Sequence, residues 1–185
     1  MPDTGIPYIA ILRGINVSGK NVIRMDHLRS LFVSLGFRNV STYIQSGNVL
    51  FLAASADEQQ LTETIYQAIR NEFGFDVPVI IRNQPELMTI INGNPFLAEK
   101  NIPHDKLHVT FLSGIPAEEA LKSLVAPASG DDQYIVHGRE IYLYCPGGYG
   151  NTKLSNTFFE KKLKVTATTR NWNTVNKLAD LTGSL

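Results

Sequence analysis

The sequence predicts an α+β fold made of two tandem ferredoxin-like βαββαβ units followed by a C-terminal helix. Three observations carry this. Short β-branched apolar runs alternate with amphipathic stretches of helical period, and Gly- or Asn-bearing turns split the middle strands of each half into hairpins. The order strand, helix, hairpin, helix, strand then recurs after a connector. The repeat is one of element order and not of residue identity.

Ile6 to Leu12 is too short and too β-branched for a helix and reads as a buried strand. A Gly-rich loop, Gly14 to Val22, leads to a helix marked by Met25, Leu28, Leu31, Phe32 and Leu35, with Gly36 placed to end it. Val40 to Ile44 and Val49 to Leu52 form a hairpin around Gln45-Ser46-Gly47-Asn48. Leu61, Ile65, Ala68, Ile69 and Phe73 mark a second helix closed by Gly74, and Val77 to Ile81 completes the unit. The connector Gln84 to Pro103 holds a short helix around Glu86 to Ile91. The second pass runs through Leu107 to Leu112, a helix over Ala117 to Leu124, and a hairpin of Tyr134 to Val136 and Ile141 to Cys145 turning at His137-Gly138-Arg139-Glu140. It closes with a helix over Thr157 to Leu163, a strand over Thr166 to Thr169, and the helix Trp172 to Leu181. The expected divisions are 5–83, 84–106, 107–170 and 171–185.

At 185 residues the chain can bury a substantial core without a disulfide or metal staple. Charged residues make up 18%, below the roughly 25% of average globular chains, while 43% are hydrophobic, so wholesale disorder is not expected. Lys+Arg and Asp+Glu balance at 17 each, which disfavours a protein that grips long nucleic acid through many phosphates and leaves room for a local basic patch. The single cysteine, Cys145, cannot close an internal disulfide, and Met1-Pro2-Asp3-Thr4 offers neither a basic leader nor an apolar stretch. The expectation is a cytoplasmic protein, with no apolar run near the roughly 18 residues of a membrane span.

In a ferredoxin-like unit the first two strands run one way and the last two the other, so loops can be assigned to ends. Arg13 to Asn21 should meet Gln45 to Asn48 in the first unit. In the second, Pro146 to Lys153 should meet Arg170-Asn171-Trp172. Gly14 to Lys20 has the G-x-x-x-x-G-K spacing of a phosphate-cradling loop, yet Asn21 stands where Ser or Thr would bind Mg²⁺ and the helix begins several residues later. Glycines that merely permit a wide turn explain the stretch equally well. Pro146 to Lys153 is a second Gly-rich loop, entering a helix where Thr157 and Glu160 have capping-box spacing. Asn171 or Asn173 is the expected cap of the last helix, and Trp172 is either core or a stacking platform for a base.

Other signals are bland. His104 and His108 stand at i and i+4, but Asp105 follows the first histidine where a zinc-protease helix needs Glu, and Pro103 opposes a helix; no metal is expected. Cys145 reads as an inert, partly buried thiol, and His27 and His137 belong to no triad. Tyr142 and Tyr144 lie at period two but lack the earlier aromatics of an RNA-binding sheet, and so read as packing residues.

Leu12-Arg13-Gly14-Ile15-Asn16-Val17-Ser18-Gly19-Lys20, Leu35-Gly36-Phe37, Thr42-Tyr43-Ile44-Gln45-Ser46-Gly47-Asn48-Val49 and Thr169-Arg170-Asn171-Trp172-Asn173-Thr174-Val175 resemble the bacterial family called domain of unknown function 1697. The resemblance implies a duplicated ferredoxin-like fold and supplies no catalytic residues. Ser18 stands where the family often has Gly, and Thr152 precedes Lys153 where it often has Ser.

The leading functional expectation is binding, with or without turnover, of a small anionic, phosphorylated ligand. Its candidate residues are Arg13, Asn16, Lys20, Gln45, Ser46, Asn48, Lys153, Arg170, Asn171 and Trp172, because Arg and Lys beside Gly-rich bends suit phosphate. The alternatives are single-stranded nucleic-acid binding through the sheets and a non-catalytic interaction module. No cofactor, membrane partner or oligomeric state is indicated by any motif.

Overall fold

The computed structural model describes residues 5–54, 57–99, 101–125 and 130–185. The chain divides into two compact units, Met1–Met88 with Leu178–Leu185, and Thr89–Lys177. The first unit runs β1 (Ile6–Leu12), α1 (Met25–Ser34), β2 (Arg38–Tyr43), β3 (Asn48–Ala53), α2 (Glu58–Phe73) and β4 (Val79–Asn83). After α3 (Gln84–Asn92), the second runs β5 (Leu107–Leu112), α4 (Glu118–Lys122), β6 (Gln133–His137), β7 (Glu140–Tyr144), α5 (Asn156–Leu163), β8 (Ala167–Asn171) and α6 (Trp172–Gly183). The sheets are ordered β2-β3-β1-β4 and β6-β7-β5-β8, and every pairing is antiparallel. Two ferredoxin-like units in tandem are therefore present.

Helix α3 starts at the residue after β4 and α6 at the residue after β8, so no loop separates strand from helix at either place.

In the first unit Tyr8, Ala10, Leu12, Val49, Phe51, Val79 and Ile81 alternate onto one sheet face and bury against Leu28, Phe32, Leu61, Ile65 and Ile69 of α1 and α2. The intervening Ile9, Ile11, Leu50, Leu52 and Ile80 are buried too, which is why β1 and β3 read as continuous apolar runs and not as alternating ones. Helix α2 begins three residues before the expected Leu61. Asp57 caps it by accepting from Gln59 N at 2.6 Å, and its polar first turn carries no apolar periodicity. In the second unit Leu112, Ile141, Leu143, Cys145, Leu154, Phe159, Leu163 and Ala167 form the corresponding core.

Two expectations are corrected here. The capping box of Thr157 and Glu160 does not form: Ser155 caps α5 through Phe158 N, and the Glu160 carboxylate accepts from Ala167 N at 3.0 Å where β8 begins. Helix α4 is shorter than the expected Ala117 to Leu124: it spans Glu118–Lys122, with Ala117 as an N-cap that makes no side-chain hydrogen bond and Ser123 as the C-cap.

The repeat also proves to have residue-level content. Leu12 N donates to Gly47 O and Leu112 N to Arg139 O, each at 2.8 Å. Arg82 and Arg170 occupy the same place in β4 and β8, each donating Nη1 to the preceding residue's carbonyl, and Asn83 and Asn171 each accept from the amide three residues on.

Candidate functional site

Strands β1 and β2 point the same way, so loop 13–24 and the turn before β3 share one end of the first unit. Their meeting is built by Asn16. Its Nδ2 donates to Ile23 O and to Gln45 O, each at 3.0 Å, and its Oδ1 accepts from Ile23 N at 2.8 Å. Asn21 Nδ2 donates to Gly14 O at 3.2 Å, tightening the loop. At the tip Val17 and Lys20 bridge around Ser18 and Gly19, both with positive φ, which is the geometry of a tight hairpin turn. The G-x-x-x-x-G-K spacing therefore encodes a miniature hairpin that finishes before α1, and not a loop that winds into a helix.

The partner turn is equally fixed. Asn48 is fully buried and donates to Tyr43 O and to Ser46 Oγ. Gly47, at φ +85°, lies so close to Leu12 and Ile15 that no side chain fits there. Of the candidate residues at this end, Asn16, Ser46 and Asn48 brace the scaffold, Gln45 supplies a carbonyl to it, Arg13 is half-buried, and Lys20 is exposed.

A signal missed in the total charge lies in its distribution. Over residues 4–56 the sequence holds Arg13, Lys20, Arg24, Arg29 and Arg38 against Asp26 alone. Arg24 pairs with Asp26 at 2.7 Å, and this hydrogen bond holds the exposed Asp26 carboxyl below its usual range. Arg29 donates to Thr42 Oγ1 at 2.9 Å, which brings it to the foot of the hairpin. Arg38 sits at the far end of β2. The turn before β4 shares this end, because Arg13 N donates to Pro78 O, and it brings Glu72 against His27 and Asp76 beside Arg70. The cations of residues 4–56 thus gather beside carboxylates that already have partners, an excess that a windowed charge count over the first third of the sequence would have found.

The second unit also gathers its loops at one end. Cys145 N donates to Lys106 O, His108 pairs with Asn171, and the Tyr149 ring stacks on His108 with centroids 4.9 Å apart. Register nevertheless splits the candidates. Asn171 shares a sheet face with His108, whereas Arg170 pairs with Val109 on the other face, 8% exposed and bonded to Thr168 Oγ1 and Thr169 O. Burial lowers the Arg170 pKa to about 10. Asn171 caps α6 through Thr174 N, as one of the two expected residues. Trp172 is 3% exposed, so its indole is core and presents no face to a base. Lys153 is exposed, but the depression of about 300 Å³ beside this Gly-rich loop is lined by Asp131 and Asp132 with Gly130, Pro146, Gly147, Gly148 and Asn151. Those carboxylates make it a poorer place for an anion than the first unit's end.

Cys145 is buried and its thiol pKa is pushed up to about 11, consistent with an inert residue. Tyr142 is a packing residue whose hydroxyl donates to Ile90 O at 2.9 Å, and burial raises its pKa to about 12. Among the described residues no group of three or more His, Cys, Asp or Glu side chains could hold a metal, and no helix is long and apolar enough to cross a membrane.

His108 is 8% exposed, and its Nδ1 has no hydrogen-bond partner. Burial pushes its pKa below the ordinary value, partly offset by the Lys106 carbonyl and Asp105. The unfolded chain therefore takes up this proton first. The stability His108 confers is complete above its unfolded pKa of about 6.5 and is lost as pH falls toward the lower folded value. A melting-temperature series from pH 7.5 to 5 should decline, and more shallowly in a His108→Gln variant; identical slopes would show that His108 is not the titrating group.

A family model described as a protein of unknown function, DUF1697, matches residues 6–142. That span contains the loop and hairpin of the first unit, and residues 169–175 lie beyond it. The chain is similar in fold to a solved conserved bacterial protein from Streptococcus pneumoniae, with 22% identity and a TM-score of 0.68 over 96% of this chain and 98% of that one. No curated protein matches the chain.

Proposed function

Because the chain belongs to the DUF1697 family of proteins of unknown function, we propose its function from its own geometry: it binds a small anionic, phosphorylated ligand at the loop-and-hairpin end of the first unit. The observation that carries this reading is the Asn16 clamp, whose side chain closes the cation-bearing loop through two hydrogen bonds to Ile23 and ties it to the hairpin through a third to Gln45. A loop fixed before the ligand arrives binds without the entropic cost of ordering. Arg13 and Lys20 lie on that loop, and charge-assisted bonds from such groups are what phosphate oxygens require.

A thermal-shift panel of inorganic phosphate, nucleotides, sugar phosphates and acyl phosphates tests the reading. A member at about a hundred times its Kd adds about 2.7 kcal/mol of stability. Arg13→Ala/Lys20→Ala should lose most of that shift, while Arg38→Ala, at the opposite end of β2, should keep it. No stabilisation by any member, or an equal shift in the double variant, would count against it.

Single-stranded nucleic-acid binding through the sheets has less support. Phe51, Phe111 and Tyr142, on the inner strands, are all buried and offer no stacking surface.

A further inference from the structure

We infer that the outer edge of β6 in the second unit pairs with β6 of a second copy of this chain, joining two four-stranded sheets about a two-fold axis at Ile135. The inference is independent of the anion-binding reading of the first unit.

Each sheet ends on one side in a hairpin strand, β2 in the first unit and β6 in the second. An edge strand carries a row of backbone groups ready to take up another strand, and proteins blunt such edges with bulges, cations and prolines. Strand β2 is blunted. Its register shifts between Arg38 and Ser41, Asn39 stands at φ +49°, and the Asn39 side chain donates to Leu185 O. Strand β6 has none of these devices: it pairs with β7 without a register shift, contains neither lysine nor proline, and leaves Ile135 41% exposed.

The register fixes which groups face outward. Leu112 N donates to Arg139 O, so Arg139 turns its backbone toward β5 and Glu140 turns toward β6. By alternation His137, Ile135 and Gln133 exchange hydrogen bonds with Glu140, Tyr142 and Tyr144, and Tyr134 and Val136 point their N–H and C=O groups out of the sheet's edge. Among the described residues no hydrogen bond reaches those four groups.

A second β6, antiparallel and centred on Ile135, meets all of them. Tyr134 lies opposite Val136 of the second copy, and Val136 opposite its Tyr134, each pair exchanging two bonds. Ile135 meets Ile135 of the second copy in a non-hydrogen-bonded pair, where side chains approach most closely. Gln133 falls opposite His137, and one step further out the exposed Asp131 falls opposite Arg139, at both ends of the interface. Moving the centre to Val136 would instead set Asp132 against Glu140. The strand thus complements itself about one point, as a two-fold interface requires. A five-residue edge buries less than the roughly 800 Å² per partner of a stable interface, so the dimer is weak and forms with concentration.

Sedimentation velocity from about 1 μM to about 1 mM should show a monomer giving way to a dimer. Amide hydrogen exchange at Tyr134 and Val136 should slow over the same range, which assigns the contact to this edge. Ile135→Lys, at an exposed position, should stay monomeric throughout. Asp131→Arg and Arg139→Asp should each raise the dissociation constant about tenfold, because like charges then face one another at both ends. An equimolar mixture of those two variants should associate as a heterodimer, in which both ends are again complementary; melting temperatures close to wild type show that each variant folds. A chain that stays monomeric to about 1 mM overturns the inference and leaves the edge to a strand of another protein. A dimer in which both amides exchange as fast as in the monomer overturns it as well, as does protection of both amides at every concentration, which would mean that the edge is covered within the chain. A mixture no more associated than either variant alone overturns the register.

Discussion

Gly47→Ala is expected to destabilise the protein by about 2–5 kcal/mol, more than any other single methyl addition at a glycine of the first unit's loops. A Cβ there would lie 2.8 Å from Leu12 Cβ and 2.9 Å from two atoms of Ile15, and both neighbours are fully buried with nowhere to move. Overpacking of this kind costs about 1–3 kcal/mol. The backbone adds a further cost of about 1–2 kcal/mol, because φ is +85° and only glycine occupies that region freely. The carbonyl of Gly47 also receives Leu12 N, so any relief by shifting the turn weakens the seam between β1 and the hairpin. Gly19→Ala is the matched control: its φ is +74°, but nothing lies within 4 Å of the added carbon, so only the conformational cost of about 1 kcal/mol applies. Urea denaturation followed by circular dichroism compares the two. Equal losses would mean that the close approach at Gly47 carries no cost.

The fold was legible because burial wrote itself into periodicity. In α1 and α2 the apolar positions recur at helical spacing, since one stripe faces the sheet, and in β1 and β3 the runs Ile9 to Leu12 and Val49 to Ala53 are continuously apolar, since both faces are buried. Where a boundary is set by a polar contact, the pattern is silent. The start of α2 at Glu58 depends on the Asp57 carboxylate, and the start of α5 on Ser155 and not on the better-spaced Thr157. The residue-level repeat escaped notice because its members are few: Arg82-Asn83 and Arg170-Asn171 recur for hydrogen-bonding reasons, whereas the apolar residues between them need only be of suitable size.

The candidate site was legible in its placement and less so in its division of labour. Strand direction alone brings loop 13–24 to the hairpin turn and 146–153 to residue 171. Which polar groups would brace and which would face solvent depends on hydrogen bonds between residues 29 positions apart, as for Asn16 and Gln45, and no local pattern encodes those. Arg170 shows the same limit in another form. A shift of one residue along a strand reverses the face, so adjacent Arg170 and Asn171 serve opposite sides of one sheet.

Asn16→Ala should cost about 2–4 kcal/mol and weaken anion binding although no cation is touched. The substitution removes two donated bonds and one accepted bond, each with a net value of about 1 kcal/mol. Ile23 is buried, and its amide would be left without the Oδ1 acceptor, a penalty of about 1–3 kcal/mol unless the loop opens to water. Opening is the easier course, because Asn16 itself sits at φ +53°, which alanine tolerates less well than asparagine. The loop then departs from Gln45 and carries Arg13 and Lys20 out of register with the hairpin. Phosphate affinity should fall about tenfold, the cost of ordering a loop that the wild type holds ready. Asn16→Asp separates the two effects: it keeps the acceptor for Ile23 N but sets a carboxylate against two carbonyls and against the incoming anion, so binding should fall further than stability. Hydrogen exchange at Ile23 and titration with inorganic phosphate read both consequences. An Asn16→Ala variant that keeps wild-type protection at Ile23 and wild-type affinity would show that the clamp neither holds the loop nor prepares the site.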